Sequence, residues 1–295
     1  MTPPTPDGLI VYAGRYRLQC SEQPLLMGVL NATPDSFFDG GSYESVAAAV
    51  ARAKHMVDEG ADIIDIGAES SRPGSEPITE TEELRRLMPI LEAVHDAVCV
   101  PLSVDTTKSG VARRAVQAGA AIVNDISAMT FDSDMARVVS ESRAAVVLMH
   151  MQGVPHTMQR APRYGDVVSE VHAFLADRIR AAEATGISRK QIILDPGIGF
   201  GKLLEHNLLL LARLNMLKDL DRPLLVGISR KGFIGQILHR SVEDRLFGTA
   251  AAVALAVREG AAILRVHDVA AMRDVVRTAA AISHYTDQIH EVPHA

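Results

Sequence analysis

The 295-residue sequence has only two cysteines, Cys20 and Cys99, too few for a disulfide framework. That scarcity fits a reducing, cytoplasmic setting. No run of about 18 apolar residues exists, so no membrane span is expected; AAAVALAV stops at Arg258. There is no Lys/Arg block, and the formal net charge of -6 gives no global attraction to nucleic acid or anionic membrane. The opening MTPPTPDG lacks the basic-then-apolar pattern of a signal peptide. Hydrophobic residues make up 47% and charged residues 22%, so an ordinary packed core is expected in one domain spanning 1–295, with 1–24 as an N-terminal tail and hairpin.

Three stretches echo one another: VDEGADIIDIG from Val57, VQAGAAIVNDI from Val116 and VREGAAILRVH from Val257. Each reads as a helix closed by a glycine (Gly60, Gly119, Gly260) followed at once by a β-branched run. Apolar runs of strand length fall at 25–30, 63–66, 102–104, 122–123, 145–149, 192–194, 224–228 and 263–266. Between them lie helical periods. SVAAAVARAKHMV puts Val46, Val50, Ala53 and Val57 on one face, and TETEELRRLMPILEAV repeats Leu84, Leu87, Leu91 and Val94 behind a capping-box pair, Thr79 and Glu82. Strands that are continuously apolar are covered on both faces. Eight strand–helix pairs at this length predict an α/β fold, a (β/α)8 TIM barrel, with a doubly wound open sheet as the alternative. Residues 9–19 predict a short N-terminal β-hairpin turning near Ala13-Gly14.

In such a barrel chemistry gathers at the carboxyl ends of the strands. Those ends read Asn31, Glu69-Ser70-Ser71-Arg72, Asp105, Asn124-Asp125, His150, Asp195, Ser229-Arg230-Lys231, and Arg265 with His267. Turns and caps explain any one of these; a full ring of charged and amide groups exceeds what capping requires. Several familiar motifs fail. DPGIGFGK does not match G-x-G-x-x-G, and Leu203 follows Gly201-Lys202 where a Walker A loop needs Ser or Thr. His150 and His156 lack a third zinc ligand, and no serine occupies a G-x-S-x-G elbow. What remains is a ring with two characters. Arg72, Arg265 and His267 are donors suited to phosphate, whereas Asp105, Asn124 and Asp195 suit the N–H-rich edge of a nitrogen heterocycle.

The ordered set NATPDSFFDGG, ESSRPG, SVDT, NDI, LMHMQG, DPGIGFGK, SRKGFIG and RVHD, running from Leu25 to Asp268, resembles the motifs of the dihydropteroate synthase family. The resemblance implies a barrel that condenses 6-hydroxymethyl-7,8-dihydropterin pyrophosphate with p-aminobenzoate, giving 7,8-dihydropteroate and pyrophosphate for folate synthesis. It implies Mg2+ as cofactor, with Asn31 as the metal-contacting residue. Arg72, Arg265 and His267 become a pyrophosphate clamp, and Asp105, Asn124, Asp195 and Lys231 the pterin-binding set. Ser71 holds substrate near its phosphate, and Met149 and Phe200 supply apolar walls. Phe37, Arg72 and Pro73 form one wall of an aminobenzoate pocket, whose carboxylate faces Ser229 and Lys231. Asp105 stabilises positive charge left on the pterin methylene when pyrophosphate departs. The loops 32–41 and 69–77, rich in Gly, Pro, Ser and Asp, are expected to be mobile until pyrophosphate and magnesium are present.

Two positions depart from the family pattern. Ser71 stands where Thr is more frequent, and Leu203 where Thr is usual, at an expected helix start. The competing readings are a methyltetrahydrofolate-type methyltransferase domain and a non-catalytic pterin-binding paralogue. The apolar segment Arg245–Val257 is expected to be covered by a second copy in a homodimer.

Overall fold

The structure is a computed structural model that describes residues 9–20, 23–32 and 43–290, with side chains at 43–44 and 286–290 left aside. A hairpin opens it: β1 (Ile10–Ala13) pairs antiparallel with β2 (Tyr16–Gln19) about Gly14. The repeating strand–helix chain follows: β3 (Leu25–Asn31), α1 (Tyr43–Asp58), β4 (Ile63–Gly67), α2 (Glu80–Ala97), β5 (Leu102–Asp105), α3 (Ser109–Gln117), β6 (Ile122–Asp125), α4 (Met135–Ser142), β7 (Ala145–Met149) and α5 (Val167–Ala184). The second half is β8 (Ile192–Asp195), α6 (Leu204–Ala212), β9 (Leu225–Gly227), α7 (Gly232–Leu238), α8 (Leu246–Arg258), β10 (Ile263–Val266) and α9 (Val269–His290). The expected strands fall within a residue or two of these; β6 runs two residues further than expected and β9 is one residue shorter at each end.

All eight barrel strands are parallel, in the order β8-β7-β6-β5-β4-β3-β10-β9. A parallel bridge, Leu194 to Leu224, brings the two outer strands together, and Leu194 N–H donates to Pro223 O at 3.0 Å. The barrel is therefore closed, not an open doubly wound sheet. Gly60, Gly119 and Gly260 hold φ of +99°, +107° and +98° between helix and strand, the left-handed closure the repeat predicts.

Two apolar cores explain the arrangement. The outer one lies between barrel and helices; Leu26, Leu30, Ile64, Ile66 and Val104 meet Leu87, Leu91 and Val94 of α2 there. On α1 the buried centre is Ala49, Ala53 and Met56, with Val46, Val50 and Val57 at its flanks, so the expected face is turned by about one residue. The inner core fills the barrel: Met27, Ile63, Ile122, Val147, Ile193, Leu225 and Ile263 pack together with Val11, Ala13, Leu18 and Cys20. The hairpin thus plugs the amino-terminal end of the barrel and, among the described residues, leaves the carboxyl end to the ring of polar groups. No helix among the described residues is long and apolar enough to cross a membrane.

Candidate active site

The floor of the open end is built on a residue that strand reading passes over. Asp65, in the middle of β4, is fully buried inside the barrel. A carboxylate there needs partners. Arg265 at the end of β10 supplies them, donating through Nε to Asp65 Oδ2 at 2.6 Å and through Nη2 to Asp105 Oδ2 at 3.0 Å. Asn124 Nδ2 donates to the same Asp65 oxygen at 3.1 Å. Oδ1 of Asp65 is buried with no protein partner among the described residues. Four residues on four strands thus form one network, in which a single guanidinium serves two carboxylates.

That shortage of positive charge governs the electrostatics. Burial pushes the Asp105 carboxyl up to about 7; Arg265 opposes the shift, and Asp65 adds to it. Arg265 is desolvated, yet the two carboxylates raise its pKa further, so it stays cationic. Of the predicted residues, Asp105, Asn124 and Arg265 are therefore brought together. Arg265 sits on the floor between carboxylates and is not part of a purely cationic rim. Asp65 was missed because IIDIG reads as strand interior. Its signal was a lone charge inside a β-branched run, which must find a counter-charge.

A second group forms the wall beside β8. Asp195 Oδ1 accepts the Gly197 N–H at 2.7 Å, and burial raises its carboxyl pKa against the pull of Lys231. The Lys231 ammonium donates to Ile198 O and lies 4.6 Å from the Phe200 ring centroid. Burial brings Lys231 down to about 8, with Asp195 opposing the shift. Met149, buried at the end of β7, is paired in register with Asp195.

Lys202 turns away from this wall. Its ammonium donates to Gly197 O at 2.9 Å, Phe200 O at 3.1 Å and His150 O at 3.3 Å, and meets His150 Nδ1 at 2.9 Å. Burial, then the Lys202 charge, takes His150 down to about 3, so its ring is neutral and accepts. The glycines of this loop are obligatory for contact reasons: a Cβ on Gly197 would lie 1.9 Å from His150 O, and one on Gly201 2.3 Å from Gln152 O. DPGIGFGK is thus a loop folded around its own lysine, and no phosphate cradle. Leu203 gives α6 no side-chain acceptor. The other half of a cap compensates, since His206 Nδ1 accepts the Leu203 N–H at 3.1 Å.

On the anion-facing side Ser229 Oγ accepts the backbone N–H of His267 at 3.3 Å and lies 3.0 Å from its Nδ1. With the hydroxyl donating to Nδ1, His267 carries its proton on Nε2. Burial and the charge of Arg265 lower it to about 4, so it is a neutral donor near pH 7. Arg72, which is exposed, is close enough for its charge to act on His267 as well. Arg230, at φ +57°, forks onto Asp268 at 2.9 and 2.5 Å and locks the β9 and β10 loops together.

Ser71, Arg72 and Pro73 stand on the loop above, without a hydrogen bond to the floor among the described residues; Ser75 Oγ ties that loop internally to Ser70 O and Arg72 O at 2.6 and 2.8 Å. Asn31, partly buried, ends β3 opposite Gly67. Phe37 and the loop 33–42 lie outside the described residues. Among the described residues no group of three or more His, Cys, Asp or Glu could hold a metal ion. One amide oxygen at Asn31 suits a hard cation that takes its remaining ligands from water and substrate phosphate. A cavity of about 300 Å3 opens beside Asp105, bounded by Glu69, Lys108, Ile126, Phe131 and Val154.

A closed barrel whose mouth holds buried carboxylates, an amide and a shared guanidinium is the arrangement of a heterocycle-binding enzyme. The sequence profile described as pterin binding enzyme matches residues 27–267. A dihydropteroate synthase of Synechocystis sp. is 45% identical over 281 residues, covering 95% of each chain. Two solved structures of Xanthomonas albilineans dihydropteroate synthase are also similar. The one with 4-aminobenzoic acid is 43% identical, with a TM-score of 0.85, and covers 97% of this chain and all of the other. The one with 7,8-dihydropteroate is 42% identical, with a TM-score of 0.81 and coverages of 96% and 100%. The chain belongs to the pterin-binding enzyme family, within its dihydropteroate synthases.

Proposed function

We propose that this protein condenses 6-hydroxymethyl-7,8-dihydropterin pyrophosphate with p-aminobenzoate, releasing pyrophosphate and forming 7,8-dihydropteroate. The observation that carries the reading is the floor network, in which Arg265 joins Asp65 and Asp105 while Asn124 meets the same Asp65 oxygen. Two carboxylates sharing one guanidinium leave acceptor capacity facing the mouth, as the N–H edge of a pterin requires. Asp195 and Lys231 extend that edge contact, and Phe200 and Met149 cover the ring. Lys231, through its ammonium, is the group at hand for the aminobenzoate carboxylate, with Ser229 beside it.

Arg72, on its loop, and His267, through Nε2–H, bind the pyrophosphate. A magnesium ion held by the Asn31 amide oxygen would supply further charge neutralisation there. The methylene C–O bond breaks and its electron pair leaves with pyrophosphate. The resulting cation spreads into the pterin ring above ionised Asp105, which stabilises it. The aromatic amine, neutral near pH 7, forms the new C–N bond and gives its proton to solvent or departing pyrophosphate. Ser71 orients the phosphate end, and Phe37 with Pro73 closes over the aryl ring.

Two further readings belong with this one. The protein acts as a homodimer in the cytoplasm, a reading supported by an exposed apolar face on α8 and α9 and by free Cys20 and Cys99. Binding is ordered, because Arg72 gains a partner to close upon only when pyrophosphate is in place. Purified protein supplied with both substrates should form dihydropteroate and rescue a folate-auxotrophic strain; failure of both would overturn the assignment. In calorimetry a sulfonamide should bind only when pterin, pyrophosphate and magnesium are present. Equal affinity with the free enzyme would disprove the order.

A further inference from the structure

The loop 69–78, between β4 and α2, is closed at its base by an ion cluster that the chemistry above does not use. Glu69 opens the loop, and its Oε1 accepts the N–H of Ile78 at the far end at 2.9 Å. Its Oε2 accepts from Lys108 Nζ at 2.5 Å. The same ammonium donates to Glu83 Oε2 at 2.6 Å, in the first turn of α2. Lys108 itself lies on the β5–α3 connection, three residues beyond Asp105. One ammonium therefore joins both ends of the loop, the helix that follows it, and the connection carrying Asp105.

Stability alone does not explain this cluster. Glu83 is fully buried, and its Oε1 has no hydrogen-bond partner of normal geometry among the described residues. Taking charges out of water in this way is often no better for stability than well-packed apolar residues. Burial raises the Glu83 carboxyl pKa despite Lys108, whereas the two carboxylates raise that of Lys108 against its own desolvation. What such a cluster provides is a fixed geometry. The loop it closes is tied internally by Ser75, as described, and Gly74 N–H donates to Pro155 O at 3.1 Å. A loop so braced holds Arg72 and Pro73 at a height above Asp105 set by where its base is held.

We propose that Lys108, with Glu69 and Glu83, is a positioning residue: it fixes the base of the 69–78 loop against the Asp105 connection and so sets Arg72 over the departing pyrophosphate. The proposal rests on the synthase reading. It assigns Lys108 no contact with substrate. Loss of the ammonium should leave the pterin floor intact and misplace the loop.

The test is Lys108→Met, with Lys108→Met/Glu83→Met as a second variant that removes the stranded carboxylate should the first fail to fold. Expected is a rise in KM for p-aminobenzoate and a fall in kcat/KM of at least about tenfold, the scale of a misplaced positioning group. Affinity for 6-hydroxymethyl-7,8-dihydropterin, which lacks the pyrophosphate that Arg72 binds, should stay within about twofold, as for an uncoupled site. The loss caused by Arg72→Ala should shrink in the Lys108→Met background, because the arginine is already misplaced there. Lys108→Arg should recover most of the activity. Hydrogen exchange at 69–78, the Ile78 amide above all, should accelerate in Lys108→Met. Unchanged kinetics in a folded variant, a matching loss of affinity for the pyrophosphate-free pterin, or an undiminished Arg72→Ala effect would each overturn the proposal. Should the wild-type protein not turn over the substrate pair, the synthase reading falls, and the exchange measurement alone judges the clamp.

Discussion

Asp105 concentrates the consequences of the shared guanidinium. Asp105→Asn should leave pterin binding detectable and lower turnover by at least about a hundredfold, the scale of one preorganised electrostatic contact; near-normal turnover would remove its role in stabilising the cation. The pH dependence follows with a definite sign. Burial raises the carboxyl to about 7, so ionised Asp105, and with it kcat/KM, should increase as pH rises through that value. Lys231, brought down to about 8 by burial, should give the falling limb above it. In Asp105→Asn the acid limb should vanish while the alkaline one remains. Stability should run the other way, since a carboxyl raised in the folded state favours folding most at low pH and loses that contribution as pH climbs through about 7. At this scale the sequence was partly legible. Strand ends announce Asp105, Asn124, Asp195 and Lys231, because polar residues after apolar runs stand out. Asp65 was hidden, since nothing in a strand's own letters says which face lines a barrel, and the partner that explains it lies 200 residues away in Arg265.

Elements carry a different lesson. Gly60, Gly119 and Gly260 disclosed the repeat because left-handed closure demands glycine locally, whereas the exact face of α1 depended on packing against the barrel and was turned from its expected position. Thr79 caps α2 as its spacing predicts, accepting the Glu82 N–H at 3.2 Å, yet Glu82 turns to Arg85 and Arg86 and does not complete the box. At α6 the missing acceptor is Leu203, 41% exposed. Leu203→Thr should stabilise the protein by about 0.5–1 kcal/mol through the restored cap, read as a higher melting temperature. No change would mean that His206 already satisfies that helix end. In the hairpin, Leu18→Ala should cost about 2–3 kcal/mol in urea unfolding, because it opens the inner core, while leaving turnover untouched. A smaller loss would show the hairpin to be an appendage and no part of that core.

For the whole molecule the open question is what covers α8. Its buried side is Thr249, Val253, Ala256 and Val257, while Phe247 is 86% and Leu255 60% exposed. A groove of about 520 Å3 runs between α8 and α9 past Ala250, Ala254 and Val275. The apolar circumference of this segment was legible in the sequence; which side the barrel would cover was not. Leu255→Glu should convert a dimer into a monomer in sedimentation at micromolar concentration, with the barrel still folded. A wild-type protein that sediments as a monomer would refute the pairing.

The plugged base of the barrel has a kinetic consequence. With Val11, Ala13 and Leu18 filling the amino-terminal end, the barrel is a vessel with one opening. Whatever sits on Asp195 and Asn124 entered past the loops and leaves by the same route. On the proposed arrangement the aryl substrate lies above the pterin, so its arrival bars the exit of the molecule beneath. Traffic is then last in, first out: labelled pterin substrate bound before the aryl acid is added should be committed to product, and excess unlabelled pterin should fail to chase it.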